Sequence, residues 1–215
     1  MKNKLFVLTI FLILFAWFKA LPTNDSFELP KYAPADLKPT LVHPSLVGKT
    51  EHFVPDFSFT NQNGEIVNQK YMDDKIYVAN FFFTSCPSIC IDLTNNLKIV
   101  QNEFKNSEDV FILSHSVDPE IDTTKRLKRY EEINSIDDKN WFLLRGEIKE
   151  IIKIAQFGYF AIASSDLLIE DALIHTENFI LIDKNRQIRG VYNGTSKLEM
   201  SYLIDDIKVL LNTNN

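Results

Sequence analysis

The segment from residue 75 to residue 104 constrains the fold most, because its hydrophobic period changes in the middle. Its first part, KIYVANFFF, is a continuous apolar run of strand length, rich in β-branched and aromatic residues. Such a run is typical of a strand buried on both faces. Apolar residues then recur at helical spacing: Ile89, Leu93, Leu97, Val100 and Phe104. A buried strand followed by an amphipathic helix predicts a layered α/β domain.

Strand and helix patterns alternate along the rest of the chain. SFTNQNGEIVN contains a hairpin turn signal, DVFILSHSV and NWFLL are strand-like, and NFILIDKNRQIRGVYNG is a second hairpin. DPEIDTTKRLKRYEEI, EIKEIIKIAQFGY and KLEMSYLIDDIKVLL have helical character. This order predicts an α/β fold in which helices flank a mixed central β-sheet. Cysteines at the end of a strand and the start of a helix make the arrangement thioredoxin-like.

The first residues predict export and membrane attachment. Lys2 and Lys4 precede an apolar run from Leu5 to Phe18, which Lys19 closes. As a helix, this run spans about 21 Å, less than the ~30 Å hydrocarbon core, although flanking lysines extend its reach. We predict an uncleaved hydrophobic anchor in residues 1–19, with a cleaved signal peptide as the alternative. In both cases the rest of the chain is exported.

Residues 20–50 are predicted to form an extended linker, and residues 51–213 the folded domain. Five of the eight prolines lie in the linker: Pro22, Pro30, Pro34, Pro39 and Pro44. Proline at this density disfavours helix and sheet alike. The net charge of −6 argues against nucleic acid as a partner, because its recognition needs a concentrated basic surface.

The only two cysteines, Cys86 and Cys90, lie four residues apart. A structural disulfide would constrain very little chain, and two buried thiols are the other purely structural interpretation. On one helix the pair would share a face about 6 Å apart at Cα, which suits a disulfide or a bound metal ion. With Pro87 opening the helix, the first turn should lower the thiol pKa values. The spacing alone does not choose between redox chemistry and metal binding.

A histidine is the candidate third ligand. His43 lies in the linker, His52 at the domain edge, and His115 in a strand where we predict a structural role. His175 lies just before the late strand, in the loop that faces the thiols in thioredoxin-like folds. Oxidoreductases normally place a cis-proline there, but no proline follows Pro119 in this chain. Two thiolates and an imidazole favour copper, with zinc as the competitor.

Four segments resemble, in order and spacing, the Sco (SenC) family of copper-binding thioredoxin-like proteins. They are PDFSFTNQNGE, VANFFFTSCPSIC, SVDPEIDTTKRLKRY and IHTENFILIDKNRQIRGVYNG. The resemblance covers most of residues 50–211 and implies a membrane-tethered domain, here on the periplasmic face of a bacterial inner membrane. By position, it implies a copper ion bound by Cys86, Cys90 and His175.

The resemblance also bears on two neighbouring positions. It implies that Asp118 lies near the metal and influences it as an outer-shell group. Capping or turn formation is the alternative interpretation for Asp118 and Asp122, which flank a helix start. The family commonly has a proline directly after the second cysteine, where this chain has Ile91. This departure removes no ligand.

The implied function is copper delivery to, or preparation of, the binuclear copper site of cytochrome c oxidase. The partner would be the copper-accepting subunit of the oxidase or another copper protein, and the chain would be a metallochaperone rather than an enzyme. The alternative is a membrane-tethered thiol–disulfide oxidoreductase acting on exported or oxidase cysteines. In that case Cys86 and Cys90 form a redox-active pair that cycles through a disulfide. A peroxiredoxin is disfavoured, because no proline precedes Thr84 in this segment.

Overall fold

The computed structural model of the chain describes residues 28–87, 89–161 and 176–213. Its strands are β1 (Ser58–Thr60), β2 (Ile66–Asn68), β3 (Ile76–Phe82), β4 (Val110–Ser116), β5 (Trp141–Leu144), β6 (Asn178–Ile182) and β7 (Ile188–Asn193). Its α-helices are α1 (Ile89–Glu103), α2 (Thr124–Asn134), α3 (Ile148–Lys153) and α4 (Lys197–Asn212). The predicted anchor in residues 1–19 lies outside the described residues. Within the described ranges, no helix is long and apolar enough to cross a membrane.

The five longer strands form one mixed sheet in the order β5-β4-β3-β6-β7. β3 pairs parallel with β4, and β4 with β5, whereas β6 runs antiparallel to both β3 and β7. β1 and β2 form a separate antiparallel hairpin at the predicted turn, where Gly64 has a positive φ of 82°. The predicted α/β architecture with a mixed central sheet is confirmed.

Successive residues of a strand point to opposite faces of the sheet. Every residue of β3 and β4 is buried, so the centre of the sheet is covered on both faces. On one face, Val78 of β3 belongs to the same buried cluster as Leu97 of α1 and Leu203 of α4. On the other face, Ala79 clusters with Phe59 of the β1–β2 hairpin and with side chains that follow β5. The apolar run KIYVANFFF therefore forms the central strand, as predicted.

The ends of two parallel strands bring the thiol segment next to the connection that follows β4. The backbone N–H of Val117 donates to the Phe82 carbonyl at 2.9 Å, which holds the two strand ends side by side. Pro87, predicted in the first helical turn, precedes Ile89, the first residue of α1. Ile91, at the position where the family commonly has proline, lies in that first turn and is exposed.

The described part of the predicted linker, residues 28–50, lies against the domain. It contains three short 3₁₀ turns, each beginning at a proline. The N–H of Tyr32 donates to the carbonyl of Ile188 at 2.9 Å, and the Leu29 side chain is buried. Arg189 of β7 donates to the carbonyls of Leu29 and Pro30 at 2.6 and 3.0 Å. The division of the chain at residue 50 stays a prediction.

Candidate metal and thiol site

Cys86 and Cys90 lie next to each other at the carboxyl end of β3, and both are thiols rather than a disulfide. The Cys86 N–H donates to the Phe83 carbonyl at 3.3 Å, which closes a turn. The Cys90 N–H donates to the Cys86 sulfur at 3.5 Å. Only Cys90 lies within α1, so the two thiols do not occupy one helix as the spacing suggested. Cys86 instead satisfies a backbone donor in the first helical turn.

The two thiols differ in exposure. Cys86 is partly exposed, whereas Cys90 is 5% exposed. Burial, together with the neighbouring Cys86, raises the pKa of the Cys90 thiol to about 12. The expected lowering by the helix N-terminus is wrong for Cys90, because desolvation of the thiolate outweighs it. Cys86 is therefore the sulfur that an incoming partner can reach first.

A buried carboxylate lies behind the thiol segment. Asp122 is 0% exposed, and its carboxylate accepts the Thr84 N–H at 3.1 Å, the Ser116 hydroxyl at 2.6 Å and the Thr84 hydroxyl. The Arg126 Nε atom donates to the Thr84 hydroxyl oxygen at 2.6 Å and lies 3.8 Å from the carboxylate. We call Thr84, Ser116, Asp122 and Arg126 the Asp122 cluster. Sequence reasoning treated Asp122 only as a turn or capping residue.

Neither aspartate of the DPEID stretch caps α2. The N-cap is Thr123, whose hydroxyl accepts the Arg126 N–H at 3.3 Å. Asp118 shapes the preceding turn through its backbone, which accepts the Asp122 N–H at 2.8 Å and donates to the Ser116 hydroxyl at 3.3 Å. The predicted outer-shell role of Asp118 stays a prediction.

Beside the thiols lies a largely apolar cavity of about 750 Å³. Its lining includes Phe82 and Cys90 from the thiol side, and Tyr159, Phe160 and Thr176 from the later part of the chain. His175 lies outside the described residues, in the range 162–175. The residue that follows it, Thr176, lines the same cavity as Cys90.

The wall of this cavity contains strained backbone. α3 continues into a π-helical turn, Ile154–Gly158, and Phe160 has a positive φ of 52°. His52 supports this segment, because its Nε2 atom forms a 2.9 Å hydrogen bond with the Gly158 carbonyl oxygen. Burial lowers the pKa of His52. π-turns and positive φ at bulky residues concentrate at functional sites, and nothing in the helical period of the sequence indicated them.

His115 takes no part in the thiol site. It is 0% exposed, and its ring stacks on Phe81 with centroids 5.4 Å apart. Its Nε2 atom lies 3.4 Å from the Tyr159 hydroxyl, and burial lowers its pKa to about 3. The predicted structural role of His115 agrees with this position in the core.

The donor set that the described residues offer fits a soft metal ion in part. No group of three or more His, Cys, Asp or Glu side chains within the described ranges is arranged to hold a metal. Cys86 and Cys90 supply two adjacent sulfur donors, the type that copper(I) prefers. A third donor must then come from outside the described residues, where His175 lies.

The sequence profile of SCO1/SenC matches residues 47–212. A SCO1/SenC family lipoprotein from Bacillus anthracis is similar in structure, with 31% identity, a TM-score of 0.67, and coverage of 76% of this chain and 97% of its own. BsSco is a Sco-family cytochrome c oxidase assembly protein with a disulfide switch. It is 30% identical in sequence, its TM-score is 0.65, and the match covers 78% of this chain and 98% of that protein.

A third solved structure is ScoI of Bradyrhizobium japonicum with copper bound. Its sequence is 25% identical, its TM-score is 0.54, and the match covers 74% of this chain and 99% of that protein. The match to the family profile spans most of the folded part of the present chain, and it includes the thiol segment and the connection that carries Asp122. The resemblance noted from four sequence segments is confirmed: this chain belongs to the SCO1/SenC family.

Proposed function

We propose that this chain is a copper chaperone that binds copper as cargo through Cys86, Cys90 and His175. The observation that carries the proposal is the adjacent pair of thiols, of which the buried one lines a cavity together with Thr176. The copper bound to Bradyrhizobium ScoI and the oxidase-assembly role of BsSco support the same conclusion. The chain delivers this copper to, or prepares, the binuclear copper site of cytochrome c oxidase.

The exposures of the two thiols suggest how copper enters. Cys86 reaches solvent and takes the ion from a donor, and Cys90 then completes the pair at the cavity wall. Metal binding requires thiolates, so the raised pKa of Cys90 means that its proton is released when copper arrives. Outer-shell influence from Asp118 belongs to the same proposal.

We further propose that residues 1–19 anchor the domain to the periplasmic face of a bacterial inner membrane. The basic flanks and the apolar run support attachment. A similar Sco protein from Bacillus anthracis is a lipoprotein, which is another form of membrane attachment. The copper-accepting subunit of the oxidase, a membrane complex, would then be within reach.

Anaerobic copper titration of the reduced full chain, with a chromophoric copper(I) chelator as competitor, tests the ligand set. We expect one copper per chain, and at least about a tenfold weaker affinity in His175→Ala, because one of three ligands is lost (a factor equal to about 1.4 kcal/mol). His43→Ala is the control, since His43 is a partly exposed histidine that contacts Ser45 and Phe157 instead. Equal affinity of His175→Ala and the wild type would remove His175 from the site.

A second function, thiol–disulfide exchange with the oxidase or other exported proteins, is favoured by the unequal thiols. An accessible Cys86 can attack a substrate disulfide, and Cys90 then displaces the reduced substrate to leave a Cys86–Cys90 disulfide. We expect Cys90→Ser to accumulate the mixed disulfide with a model substrate, and Cys86→Ser not to. Rapid reduction that persists in His175→Ala would favour this function over copper delivery.

A further inference from the structure

We infer that Asp122 is a positioning residue for Cys86. Its buried carboxylate holds the turn that follows β3 so that the Cys86 sulfur stays within reach of Cys90. The inference rests on the proposed use of the two thiols as a pair, but it does not depend on copper.

The carboxylate ties together two connections, the segment after β3 and the segment after β4. Thr84 lies in the segment after β3, and it donates both its N–H and its hydroxyl to Asp122. Ser116 is the last residue of β4, and its hydroxyl donates to the same carboxylate at 2.6 Å. Asp122 is itself tied down by its backbone, whose carbonyl accepts Arg145 Nε at 3.0 Å. The carboxylate thus fixes the thiol segment to the end of β4.

Fixing Thr84 also restricts the position of the Cys86 sulfur, because the two residues are close in the chain. Cys86 is two residues further along, and its N–H closes a turn onto the Phe83 carbonyl at 3.3 Å. The Cys90 N–H then meets the Cys86 sulfur at 3.5 Å. The Thr84 N–H donates to the Asp122 carboxylate at 3.1 Å, and this bond ties the start of the segment to the connection that follows β4. Without the carboxylate, this segment regains conformations in which the two sulfurs are apart.

The charge arrangement separates Asp122 from an ordinary structural ion pair. The donors to its carboxylate are neutral, and the Arg126 side chain, which is 45% exposed, lies 3.8 Å from it. Burying a carboxylate in this way costs more desolvation free energy than burying an apolar side chain. Its benefit is geometric, because several hydrogen bonds converge on one residue of the thiol segment.

The equilibrium between dithiol and disulfide measures this benefit directly. The full chain is incubated with glutathione buffers, in which the protein dithiol and one glutathione disulfide give the protein disulfide and two molecules of glutathione. Ordering one residue costs about a factor of ten in conformational freedom. We therefore expect Asp122→Asn and Thr84→Val to lower this equilibrium constant about tenfold. Thr84→Ser, which keeps the hydroxyl, should stay within about twofold of the wild type.

A matched control separates positioning from general destabilisation. Asp183 is another buried carboxylate that accepts several hydrogen bonds, but its partners are Arg189, Asn185 and Gln187. We expect Asp183→Asn to lower stability and leave the glutathione equilibrium within about twofold of the wild type. Thr84→Val carries the test if Asp122→Asn does not fold.

Three results would overturn the inference. One is a glutathione equilibrium unchanged in both Asp122→Asn and Thr84→Val, and another is an equal shift in Asp183→Asn. The third is a wild-type chain that forms no Cys86–Cys90 disulfide at any glutathione ratio. No copper is present in the assay, so failure of copper delivery and failure of the positioning role are read out separately.

Discussion

Asp122 and Asp183 are both buried, but of the two carboxylates only that of Asp183 accepts a hydrogen bond from a cationic side chain. Asp183 is 2% exposed and accepts Arg189 at 2.7 Å, and Arg189 is itself 3% exposed. Asp122 is 0% exposed and is held mainly by the N–H and hydroxyl of Thr84 and the hydroxyl of Ser116.

The difference follows the parts of the molecule that each carboxylate joins. Asp183 closes the β6–β7 turn, and through Arg189 it fixes the chain at Leu29 and Pro30 onto β7. That region belongs to the framework, by which we mean the parts of the domain away from the thiol site. There the ion pair holds neighbouring segments together. Asp122 instead organises the segment that carries Cys86. The comparison suggests that the first cluster serves stability and the second serves thiol geometry.

The largest expected effect is the loss of the cation from the Asp183 pair. Arg189→Met leaves a buried carboxylate without its counter-ion and two carbonyls without their donor. We expect unfolding free energy to fall by roughly 3–5 kcal/mol, measured by denaturant unfolding followed by circular dichroism. Combining it with Asp183→Leu should recover part of the loss, because no buried charge then remains. An unfolding free energy of Arg189→Met within about 1 kcal/mol of the wild type would contradict the stabilising role given to the Asp183–Arg189 pair.

His115 extends the comparison to a buried ionisable side chain that has no counter-ion within the part of the chain that the structure describes. Its folded-state pKa of about 3 lies below the unfolded value near 6.5, so the unfolded chain binds the proton first as pH falls. The contribution of neutral His115 to the unfolding free energy is complete above pH 6.5, and it is lost progressively between pH 6.5 and pH 3. Between pH 7 and pH 4 the loss is about 3 kcal/mol, at 1.36 kcal/mol per pH unit.

The comparison of His115→Phe with the wild type isolates this proton. Phenylalanine keeps an aromatic ring against Phe81 and cannot be protonated, while every other acidic group titrates in both proteins. We expect the unfolding free energy of the variant to fall less steeply between pH 7 and pH 4, by about 3 kcal/mol in total. Parallel pH profiles would mean that His115 is already charged, or already neutral, in both states.

The strands and hairpins were more predictable from the sequence than the thiol site. Hydrophobic periodicity and turn-forming residues are properties of neighbouring positions in the chain. The run KIYVANFFF predicted β3, found at Ile76–Phe82, and the Asn-Gly turn predicted the β1–β2 hairpin. The Asp122 cluster was missed because Thr84 and Asp122 are 38 residues apart and meet only when β3 pairs with β4. The close packing of residues 28–32 was missed for the same reason, since Arg189 is 159 residues from Pro30.

The family was predictable from the thiol segment, but the environment of the two thiols was not. The unusual pair Cys86 and Cys90, with the motifs around it, indicated the family. The raised pKa of Cys90 was not predictable, because it depends on how completely the folded chain buries the sulfur. The helical spacing also gave no sign that Cys86 precedes the helix and accepts a bond from its first turn.

An intermediate loss of stability is expected for Asp122→Asn. The asparagine oxygen can still accept one donor, but the amide group faces Thr84 or Ser116, which are donors themselves. Loss of hydrogen bonds to a charged acceptor costs roughly 1.5–3 kcal/mol in unfolding free energy. This is less than for Arg189→Met, because Asp122→Asn leaves no unpaired charge in the interior. A loss larger than that of Arg189→Met would place Asp122 in the framework class instead.

The smallest effect is expected where an ion pair is short but exposed. Lys75 and Asp109 are 2.9 Å apart, close to the 2.7 Å of Arg189 and Asp183, yet their side chains are 28% and 46% exposed. Lys75→Met should therefore change unfolding free energy by less than about 1 kcal/mol, because water solvates the carboxylate that remains. It should also raise the pKa of Asp109, which the hydrogen bond from Lys75 lowers.

Lys70→Met is the matched control for Lys75→Met, since Lys70 is exposed and forms no ion pair among the described residues. If burial rather than distance decides the energy of a pair, Lys75→Met and Lys70→Met should differ by only a few tenths of a kcal/mol, less still at high salt. A loss of several kcal/mol from Lys75→Met alone would show that a short contact at the surface suffices. The contrast between the two buried carboxylates would then have to be explained by contact distance instead of by solvent exclusion.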